Sequence, residues 1–342
     1  MITAGTQRKL DITQGSNLTK LLTQQFRNKV VGQEKAVETL VNMLEYHQAG
    51  FGDPSMPVGT ALFLGPTGTG KTHVVQTFAE SLFNDKKACL RIDCAEFQHS
   101  HEIAKLLGSP PGYLGHRETH PVLTQEALDK HHTAGLKLSI VLFDEIEKAS
   151  DALWSLLLGI MDNATVTCGD NSKVDFSKAI IIMTSNVGAR EMSKKDIGFN
   201  EPSEEFDKSK LEQVALSAAK SKFSPEFMNR IQNVVTFQTL TQDQIEQVLE
   251  IELEALRGRL CNTETVMKGF GISVSPSTKK RLLSEGYSKE YGARHLKRVI
   301  TNLIQRPLAK LINSGQVISG DTVVADDTGG STLDFYKHPS LI

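Results

Sequence analysis

The fold is decided by the stretch Gly65-Pro-Thr-Gly-Thr-Gly-Lys-Thr72. This stretch follows the apolar run Thr60-Ala-Leu-Phe-Leu64 and precedes a run that begins at Val74 and ends at Phe83. The order predicts a strand, a glycine loop and a helix, which is the context that the pattern G-x-x-x-x-G-K-[ST] requires. The backbone N–H groups of such a loop surround a phosphate at a helix N-terminus, where the helix dipole favours negative charge. The sequence therefore predicts an α/β protein with a phosphate-binding loop.

The residues of this loop have expected roles toward a nucleotide. Lys71 is expected to reach the β- and γ-phosphates, and Thr72 is expected to bind Mg²⁺, as the last two residues of this pattern do. A glycine turn without a ligand is the alternative, and the flanking strand and helix argue against it. The loop residues expected to contact ATP are Gly65, Pro66, Thr67, Gly68, Thr69, Gly70, Lys71 and Thr72.

A second buried strand, Leu138-Ser-Ile-Val-Leu-Phe143, is followed by two acidic residues. Its apolar run is typical of a parallel strand that is covered on both faces. Because ligands of parallel α/β sheets gather where the strands end, we expect Asp144 to hold Mg²⁺ and Glu145 to orient the attacking water. Solvated acids at the mouth of a buried strand are the alternative. Together with the glycine loop, the two acids predict an ATPase whose cofactors are ATP and Mg²⁺.

Two further segments are expected to complete the nucleotide site. The strand Ala179-Ile-Ile-Ile-Met183 runs into Thr184-Ser-Asn186, so Asn186 is expected to bond the γ-phosphate or to position the water. Upstream of the loop, Val30 and Val31 are expected to cover the adenine ring, with simple core packing as the alternative. Polar groups at the ends of three successive strands thus converge on one predicted site.

Composition limits the classes of partner and compartment. The chain of 342 residues is 39% hydrophobic, enough for one large domain and a smaller one. Lys and Arg number 38 against 40 Asp and Glu, so no net field attracts nucleic acid or an anionic membrane, and a polymer partner is expected to be protein. The first twenty residues are polar, without a secretory signal, which predicts a cytoplasmic protein. The four cysteines lack paired spacing and are expected to be reduced thiols.

The predicted elements divide the chain into four parts. Residues 1–25 are expected to form a mobile arm with one short helix, and residues 26–238 a large α/β ATPase domain with a parallel sheet and helices on both faces. The composition changes at Thr241, so residues 239–327 are expected to form a smaller, mostly helical lid domain, followed by a tail at 328–342.

Six histidines between His99 and His132 raise the hypothesis of a second metal site. They lack accompanying cysteines and an i, i+4 pair with Glu between its members. We therefore expect no metal besides Mg²⁺.

These motifs resemble those of the Clp ATPases of the AAA+ superfamily, specifically the second ATPase module of ClpA, ClpC and ClpB. The resemblance extends from about residue 26 to residue 320. Leu142-Phe-Asp-Glu-Ile-Glu-Lys148 resembles the acidic motif, and Thr184-Ser-Asn186 the first sensor. Phe223-Ser-Pro-Glu-Phe-Met-Asn-Arg230 resembles the segment with the arginine finger, and Tyr291-Gly-Ala-Arg294 the second sensor. The resemblance implies an AAA+ fold and catalytic roles for Glu145, Asn186, Arg230 and Arg294.

The loop Gly108-Ser-Pro-Pro-Gly-Tyr-Leu-Gly115 resembles the family's substrate-gripping pore loop, which implies that Tyr113 and Leu114 contact a protein substrate. From composition alone, a loop docked on its own surface is an equal alternative. Two departures concern the pore. Residues 116–121 lack the glycine pair that commonly follows the tyrosine, and Asn171-Ser172 replaces the Gly-Arg of the second pore loop.

The resemblance also implies partners. An arginine finger acts on a neighbour's nucleotide, so a homo-oligomeric ring of six subunits is expected. Ile197-Gly198-Phe199 resembles the tripeptide with which some family members dock on the ClpP peptidase, while a loop packed on its own domain is the alternative. The sequence shows no N-terminal domain, first module or inserted coiled coil, so a single-ring machine is expected.

The leading functional hypothesis is an ATP-driven unfoldase that threads polypeptides through a central pore. An ATP-switched scaffold that rearranges one protein complex without translocation is the alternative from another class. A DNA-acting AAA+ ATPase is disfavoured by the balanced charge and the lack of a basic run.

Overall fold

The computed structural model describes residues 17–109, 121–189, 204–261, 269–287 and 292–338. The amino-terminal part of this chain alternates strands and helices, as the sequence predicts. Its elements are α1 (Asn17–Lys29), α2 (Glu34–Gln48), β1 (Gly59–Leu64), α3 (Lys71–Phe83), β2 (Leu90–Asp93), α4 (Ala104–Leu107), α5 (Gln125–Asp129), β3 (Ser139–Asp144), α6 (Asp151–Asn163), β4 (Thr165–Thr167), β5 (Lys173–Asp175), β6 (Ala179–Ser185), α7 (Glu204–Lys222), α8 (Pro225–Arg230) and β7 (Asn233–Thr236).

The carboxy-terminal part is mostly helical. Its elements are α9 (Gln242–Cys261), β8 (Gly271–Val274), α10 (Pro276–Gly286), α11 (Gly292–Ile300), α12 (Arg306–Asn313), β9 (Thr322–Asp326) and β10 (Asp334–His338). Helix α9 begins at a capping box, since the Thr241 N–H donates to Gln244 Oε1 at 3.0 Å and the Gln244 N–H donates to Thr241 Oγ1 at 3.3 Å. These two reciprocal bonds fix the amino terminus of α9.

Five of the described strands of the amino-terminal part form a parallel sheet in the order β2-β3-β6-β1-β7, while β4 and β5 form a separate antiparallel hairpin. Successive side chains of a strand point to opposite faces, and here both faces are covered. Leu62 and Leu64 belong to one buried cluster, whereas Ala61 and Phe63 belong to the cluster on the other face. The predicted α/β fold with a doubly covered parallel sheet is confirmed, because the apolar runs leave no face for solvent.

The strand register places the polar residues of the site together. Leu64, the last residue of β1, pairs with Ser185 of β6, and Asp93 of β2 pairs with Asp144 of β3. All of these residues lie at the carboxyl edge of the sheet, where the loop between β1 and α3 also lies. The sheet therefore brings the ends of β1, β2, β3 and β6 to the amino terminus of α3.

The structure differs from the predicted elements at both ends. Helix α1 begins at Asn17 and crosses the expected boundary at residue 25, and Phe26 packs against Phe78 of α3 with ring centroids 5.7 Å apart. The expected tail contains β10, which pairs antiparallel with β9 and extends the sheet formed by β8 and β9. The stretch of alternating apolar and polar residues in β10 is too short to predict a strand by itself.

The helical segment that contains α11 and α12 is interrupted by a π-helical turn at Thr301–Gln305. Pro307 stands in the first turn of α12 and has no N–H to bond a carbonyl one turn earlier. The π-helical turn accommodates the hydrogen bond that Pro307 cannot donate. It also rotates the side chains of α12 relative to those of α11. None of the helices in the described part of the chain has the length and apolar character that crossing a membrane requires.

Candidate functional site

The glycine loop connects β1 to the first residue of α3, Lys71. Gly70 precedes this helix with φ of +99°, a left-handed conformation that residues with a side chain rarely adopt. No side chain caps the helix, so its first N–H groups face the cavity without a partner from a capping residue. This end of α3 has the geometry that binds a phosphate.

Lys71 lies at the base of the loop with 7% of its surface exposed. Its Nζ donates to the carbonyl oxygens of Gly65 at 2.6 Å and Pro66 at 2.9 Å, and to Asn186 Oδ1 at 2.9 Å. Burial lowers the pKa of Lys71 to about 8, although the carboxylates of Glu147, Asp144 and Glu145 act in the opposite direction. The ammonium group is thus desolvated and held beside the helix amino terminus.

Asp144 is the most enclosed acid of the site, with 6% of its surface exposed. It accepts hydrogen bonds from Thr72 Oγ1 at 3.2 Å and from the Thr184 hydroxyl. Arg91 of β2 donates to Asp144 Oδ2 through Nη2 at 2.6 Å and Nε at 3.1 Å. A hydroxyl and a carboxylate at hydrogen-bond distance are hard oxygen ligands of the kind Mg²⁺ takes, so Thr72 and Asp144 fit the ion.

Glu145 and Asn186 lie together beside Lys71. Glu145 has φ of +59°, and its N–H donates to Thr184 Oγ1 at 3.0 Å. Its carboxylate accepts from Asn186 Nδ2 at 3.3 Å and from the Lys148 ammonium. The left-handed backbone directs the side chain into the space between β3 and β6 rather than along the strand. The structure therefore brings together a carboxylate, an amide and an ammonium at the phosphate end of the cavity.

The cavity has a volume of about 420 Å³ and extends from the loop to a mostly apolar end. Val30 and Val31, the residues expected to cover the adenine ring, line this end, and Val30 is buried against the core. The carboxy-terminal part of the chain supplies the opposite apolar wall through Leu240, Val248 and Ile251. An apolar wall at one end and polar groups at the other match the two halves of a nucleotide.

The carboxy-terminal part also touches the glycine loop directly. The Ala293 N–H donates to the Gly68 carbonyl at 3.2 Å. Gly292 has φ of +50°, and a Cβ built there would stand 2.7 Å from the Gly68 oxygen, so only glycine fits. Arg294 follows and lines the cavity. The contact places the start of α11 over the phosphate end of the site.

Other expected residues are not brought into this cavity. Arg230 does not line it and is bound instead to Asp162 and Glu226 of its own chain. The residues expected to contact substrate, Tyr113 and Leu114, and the expected docking tripeptide Ile197, Gly198 and Phe199, lie outside the described residues. His99 and His101 stack on each other, and the described part of the chain holds no group of three or more His, Cys, Asp or Glu arranged for a metal.

Sequence reasoning missed two residues that shape the site. Arg91 binds Asp144, and the only sequence signal was an arginine in a short strand next to the acidic strand. Gln33 is buried, and its Nε2 donates to the carbonyls of Thr69 and Gln238, each at 3.1 Å. A polar residue beside the expected adenine-covering valines was the signal for Gln33. Its two bonds link the glycine loop to the segment after β7.

Comparison with known proteins agrees with this geometry. The family model for the AAA domain (Cdc48 subfamily) matches residues 56–234. The family model for the C-terminal, D2-small domain of ClpB protein matches residues 240–325. The chain belongs to the Clp family of AAA+ ATPases. The predicted family, its AAA+ fold and the predicted ATPase activity are confirmed by these matches and by the relatives below.

Curated relatives of this AAA+ chain include the ATP-dependent Clp protease ATP-binding subunit ClpC of Staphylococcus saprophyticus, 36% identical over 303 residues. The ClpC of Staphylococcus aureus strain USA300 is 37% identical over 302 residues. Each alignment covers 88% of this chain and 36% of the relative, so the chain spans about a third of the length of these ClpC proteins.

The solved structures similar to this chain include two structures of Hsp104. A closed state of Hsp104 with ATPγS and FITC casein has a TM-score of 0.78 at 30% identity and covers 96% of this chain. The extended conformation of the S. cerevisiae Hsp104:casein complex has a TM-score of 0.79 at 28% identity and covers 94%. This chain covers 53% of either Hsp104 chain, about half its length.

Arg91→Met is expected to destabilise this AAA+ chain by about 1–3 kcal/mol when no nucleotide is bound, because Asp144 is left buried without its cation. The loss should shrink when Mg²⁺ and ADP are added, since the ion supplies the missing positive charge. Urea unfolding with and without Mg²⁺–ADP measures both values. Arg91→Lys, which keeps a charge without the fork, should lose less. An equal loss in both conditions would mean that Arg91 acts through packing alone.

Nucleotide binding is expected to take up a proton at alkaline pH. The pKa of Lys71 is about 8 in the free protein, so the amine is largely neutral at pH 9, whereas bound phosphates favour the ammonium form. The dissociation constant for ATPγS should therefore rise by up to about tenfold per pH unit above 8. Calorimetry at pH 9 in two buffers of different ionisation enthalpy should give nearly one proton, against nearly none at pH 7. Lys71→Arg stays charged and should take up none, and zero uptake by the wild type at pH 9 would contradict the assignment.

Proposed function

We propose that this chain is a subunit of an ATP-driven protein unfoldase that assembles as a ring of six and threads polypeptide through its pore. The observation that carries the proposal is a nucleotide cavity that is enclosed by both parts of one chain but lacks Arg230. Arg230 lies on the surface near α6, and 30% of its side chain is exposed. A second copy of the chain can contact it there. A site that needs an arginine from a neighbour explains why the chain works as an oligomer.

The residues of the cavity take distinct roles in this proposal. The N–H groups at the start of α3 and the Lys71 ammonium bind the phosphates, and Arg294 adds a cation from above the loop. Thr72 and Asp144 hold Mg²⁺, which neutralises phosphate charge when it is bound. Glu145 orients and deprotonates the attacking water, and Asn186, which bonds both Glu145 and Lys71, keeps these groups aligned.

We also propose that the chain works as two domains that meet between residues 238 and 239, with α1 in the first, β10 in the second and the nucleotide between them. Separate buried clusters support this division, since the helices and strands after residue 240 pack around a core of their own. The bond from Ala293 to Gly68 is the direct link between the second domain and the phosphate loop. Binding and release of phosphate would therefore move one domain relative to the other.

Threading rests on Tyr113 and Leu114, and the Hsp104 structures with casein support a polypeptide substrate. Tyr113→Ala is expected to abolish ATP-dependent unfolding of a tagged fluorescent protein while ATP hydrolysis continues. Tyr113→Phe keeps the aromatic ring and should retain most unfolding. Both rates should be measured in the same sample. Unfolding that Tyr113→Ala leaves unchanged, or that the wild-type ring never performs, would instead favour a scaffold that remodels one complex without translocation.

A peptidase partner is the finer part of this proposal. The ClpC relatives are ATP-binding subunits of the Clp protease, and this chain carries Ile197, Gly198 and Phe199 between β6 and α7. Six weak apolar contacts on one ring gain strength by multivalency, so each tripeptide need bury only a small area. The ATP-bound ring is expected to co-sediment with ClpP of the same organism, and Phe199→Ala is expected to lose this association. Equal binding by the variant, or none by the wild type, would contradict docking.

The remaining predictions concern other partners and the cellular location of the protein. The balanced charge of the chain supports the absence of nucleic-acid and membrane partners from the proposed cycle. A cytoplasmic location stays a prediction from the sequence.

A further inference from the structure

Each of the three guanidinium nitrogens of Arg230 has a partner within the chain. Nε donates to Asp162 Oδ1 at 2.6 Å, Nη1 donates to the Glu226 carbonyl oxygen at 3.2 Å, and Nη2 lies 3.2 Å from Glu226 Oε1. The fork that a phosphate needs is therefore occupied by protein oxygens. An arginine held in this way must give up at least one partner before it can bind a phosphate with two nitrogens.

The charges around Arg230 also oppose its action on a phosphate while both carboxylates remain bound. Two carboxylates surround one guanidinium, so the group of three side chains carries a net charge of −1. The hydrogen bond that Arg230 donates to Asp162 is the main cause that raises the pKa of Arg230, and the charges of Asp162 and Glu226 add to it. A group with net negative charge does not stabilise the negative charge of a transferring phosphoryl group. One carboxylate must withdraw for Arg230 to act on a neighbour's nucleotide.

The two carboxylates differ in how they can withdraw. Glu226 lies one turn before Arg230 on the same helix, α8, and moves with it. Asp162 belongs to α6, so its bond to Arg230 breaks when α6 and α8 shift relative to each other. Below the ion pair these helices are joined by aromatic packing, with Trp154 and Phe227 ring centroids 6.4 Å apart. Of the two ion pairs of Arg230, the one with Asp162 is therefore the one that a relative movement of α6 and α8 breaks.

Asp162 also lies directly before the β4–β5 hairpin. Helix α6 ends at Asn163, and Ala164 turns the chain with φ of +48° into the hairpin. The Phe176 N–H donates to the Ala164 carbonyl at 2.6 Å and closes the hairpin at its base. The tip of the hairpin contains Asn171 and Ser172, which the family resemblance places in the second pore loop. A displacement of the hairpin is thus transmitted within two residues to Asp162.

We propose that Asp162 is a positioning residue that restrains Arg230 and releases it when the β4–β5 hairpin is displaced by polypeptide in the pore. The proposal rests on the proposed function, because it takes Arg230 to act on a neighbouring subunit. Asp162 then couples the presence of substrate in one subunit to ATP hydrolysis in the next. In the absence of substrate, the ion pair keeps turnover low.

Asp162→Asn is the matched test, since it keeps the shape and an acceptor oxygen but removes the charge. Exposed ion pairs contribute up to about 1 kcal/mol, so basal ATP hydrolysis by the assembled ring is expected to rise about two- to fivefold. Stimulation by casein should fall by a similar factor, because Arg230 is already released. A structural role alone would lower both rates and would not change their ratio.

Two controls make the outcome specific. Asp151→Asn removes an exposed charge from the first turn of the same helix and should leave basal rate and stimulation unchanged. In the Arg230→Ala background, Asp162→Asn should have no effect, since the restrained group is absent. An unchanged or lower basal rate for Asp162→Asn in intact rings would overturn the restraint. If rings form and subunits share sites in mixing experiments while Asp162→Asn changes neither rate, this inference fails and the proposed function stands.

Discussion

Glu145→Gln is expected to bind ATP but to hydrolyse it about 100- to 10,000-fold more slowly than the wild type, the usual contribution of a general base. An amide in place of the carboxylate keeps the bond with Asn186 but cannot take a proton from water. The substitution leaves Lys71 and the start of α3, the groups proposed to bind the phosphates, unchanged. Because bound ATP persists, this variant is also expected to give the most stable rings.

Light scattering with and without ATP and Mg²⁺ measures the assembly of this variant, and phosphate release measures its turnover. Lys71→Ala is the matched control, since it should fail to bind ATP and should gain no assembly from the nucleotide. A nucleotide-bound Glu145→Gln chain that remains monomeric at micromolar concentration would contradict the ring. Near wild-type turnover would contradict the role of Glu145.

Arg230→Ala is expected to reduce hydrolysis by the ring about 1000-fold or more, the contribution of an arginine finger in related phosphoryl transfer. Its affinity for ATP should stay close to that of the wild type, because Arg230 lies outside the cavity of its own chain. Arg294→Ala should lower affinity as well as turnover, since Arg294 lines the cavity beside the loop. The two arginines are thereby distinguished by binding rather than by activity.

Binding of a fluorescent ATP analogue and steady-state hydrolysis, measured on the same preparations, test this distinction. Arg257→Ala is a suitable control, because Arg257 is similarly exposed, is paired with Glu254 on α9 and does not line the cavity. An Arg230→Ala chain that loses as much ATP affinity as Arg294→Ala would place Arg230 in its own site.

The sheet and the phosphate end of the site could be predicted because their signals are local. Continuous apolar runs such as β3 and β6 are covered on both faces, as is typical of strands in a parallel α/β sheet. The ends of such strands lie at one edge, so Asp144, Glu145 and Asn186 could be placed beside Lys71 without coordinates. The glycine pattern then fixed which edge binds phosphate.

The contacts that sequence reasoning missed depend on tertiary register. Arg91 reaches Asp144 because β2 pairs with β3 so that Asp93 lies opposite Asp144, and a single sequence does not give this pairing. Arg230 and Asp162 are 68 residues apart in the chain and meet only because α6 packs on α8. The strand β10 forms only by pairing with β9. Local propensity carries no information on such partners.

The most direct test of a site shared between subunits is the ATPase rate of mixed rings. Arg230→Ala subunits keep a complete cavity, and Lys71→Ala subunits keep Arg230, so each ring alone should be nearly inactive. Mixed at equal amounts, with co-assembly verified by differently labelled subunits, they are expected to recover a substantial part of the wild-type rate at interfaces where an intact cavity meets an intact Arg230. Confirmed mixed rings whose rate stays at the average of the two inactive parents would contradict a site completed by the neighbouring subunit.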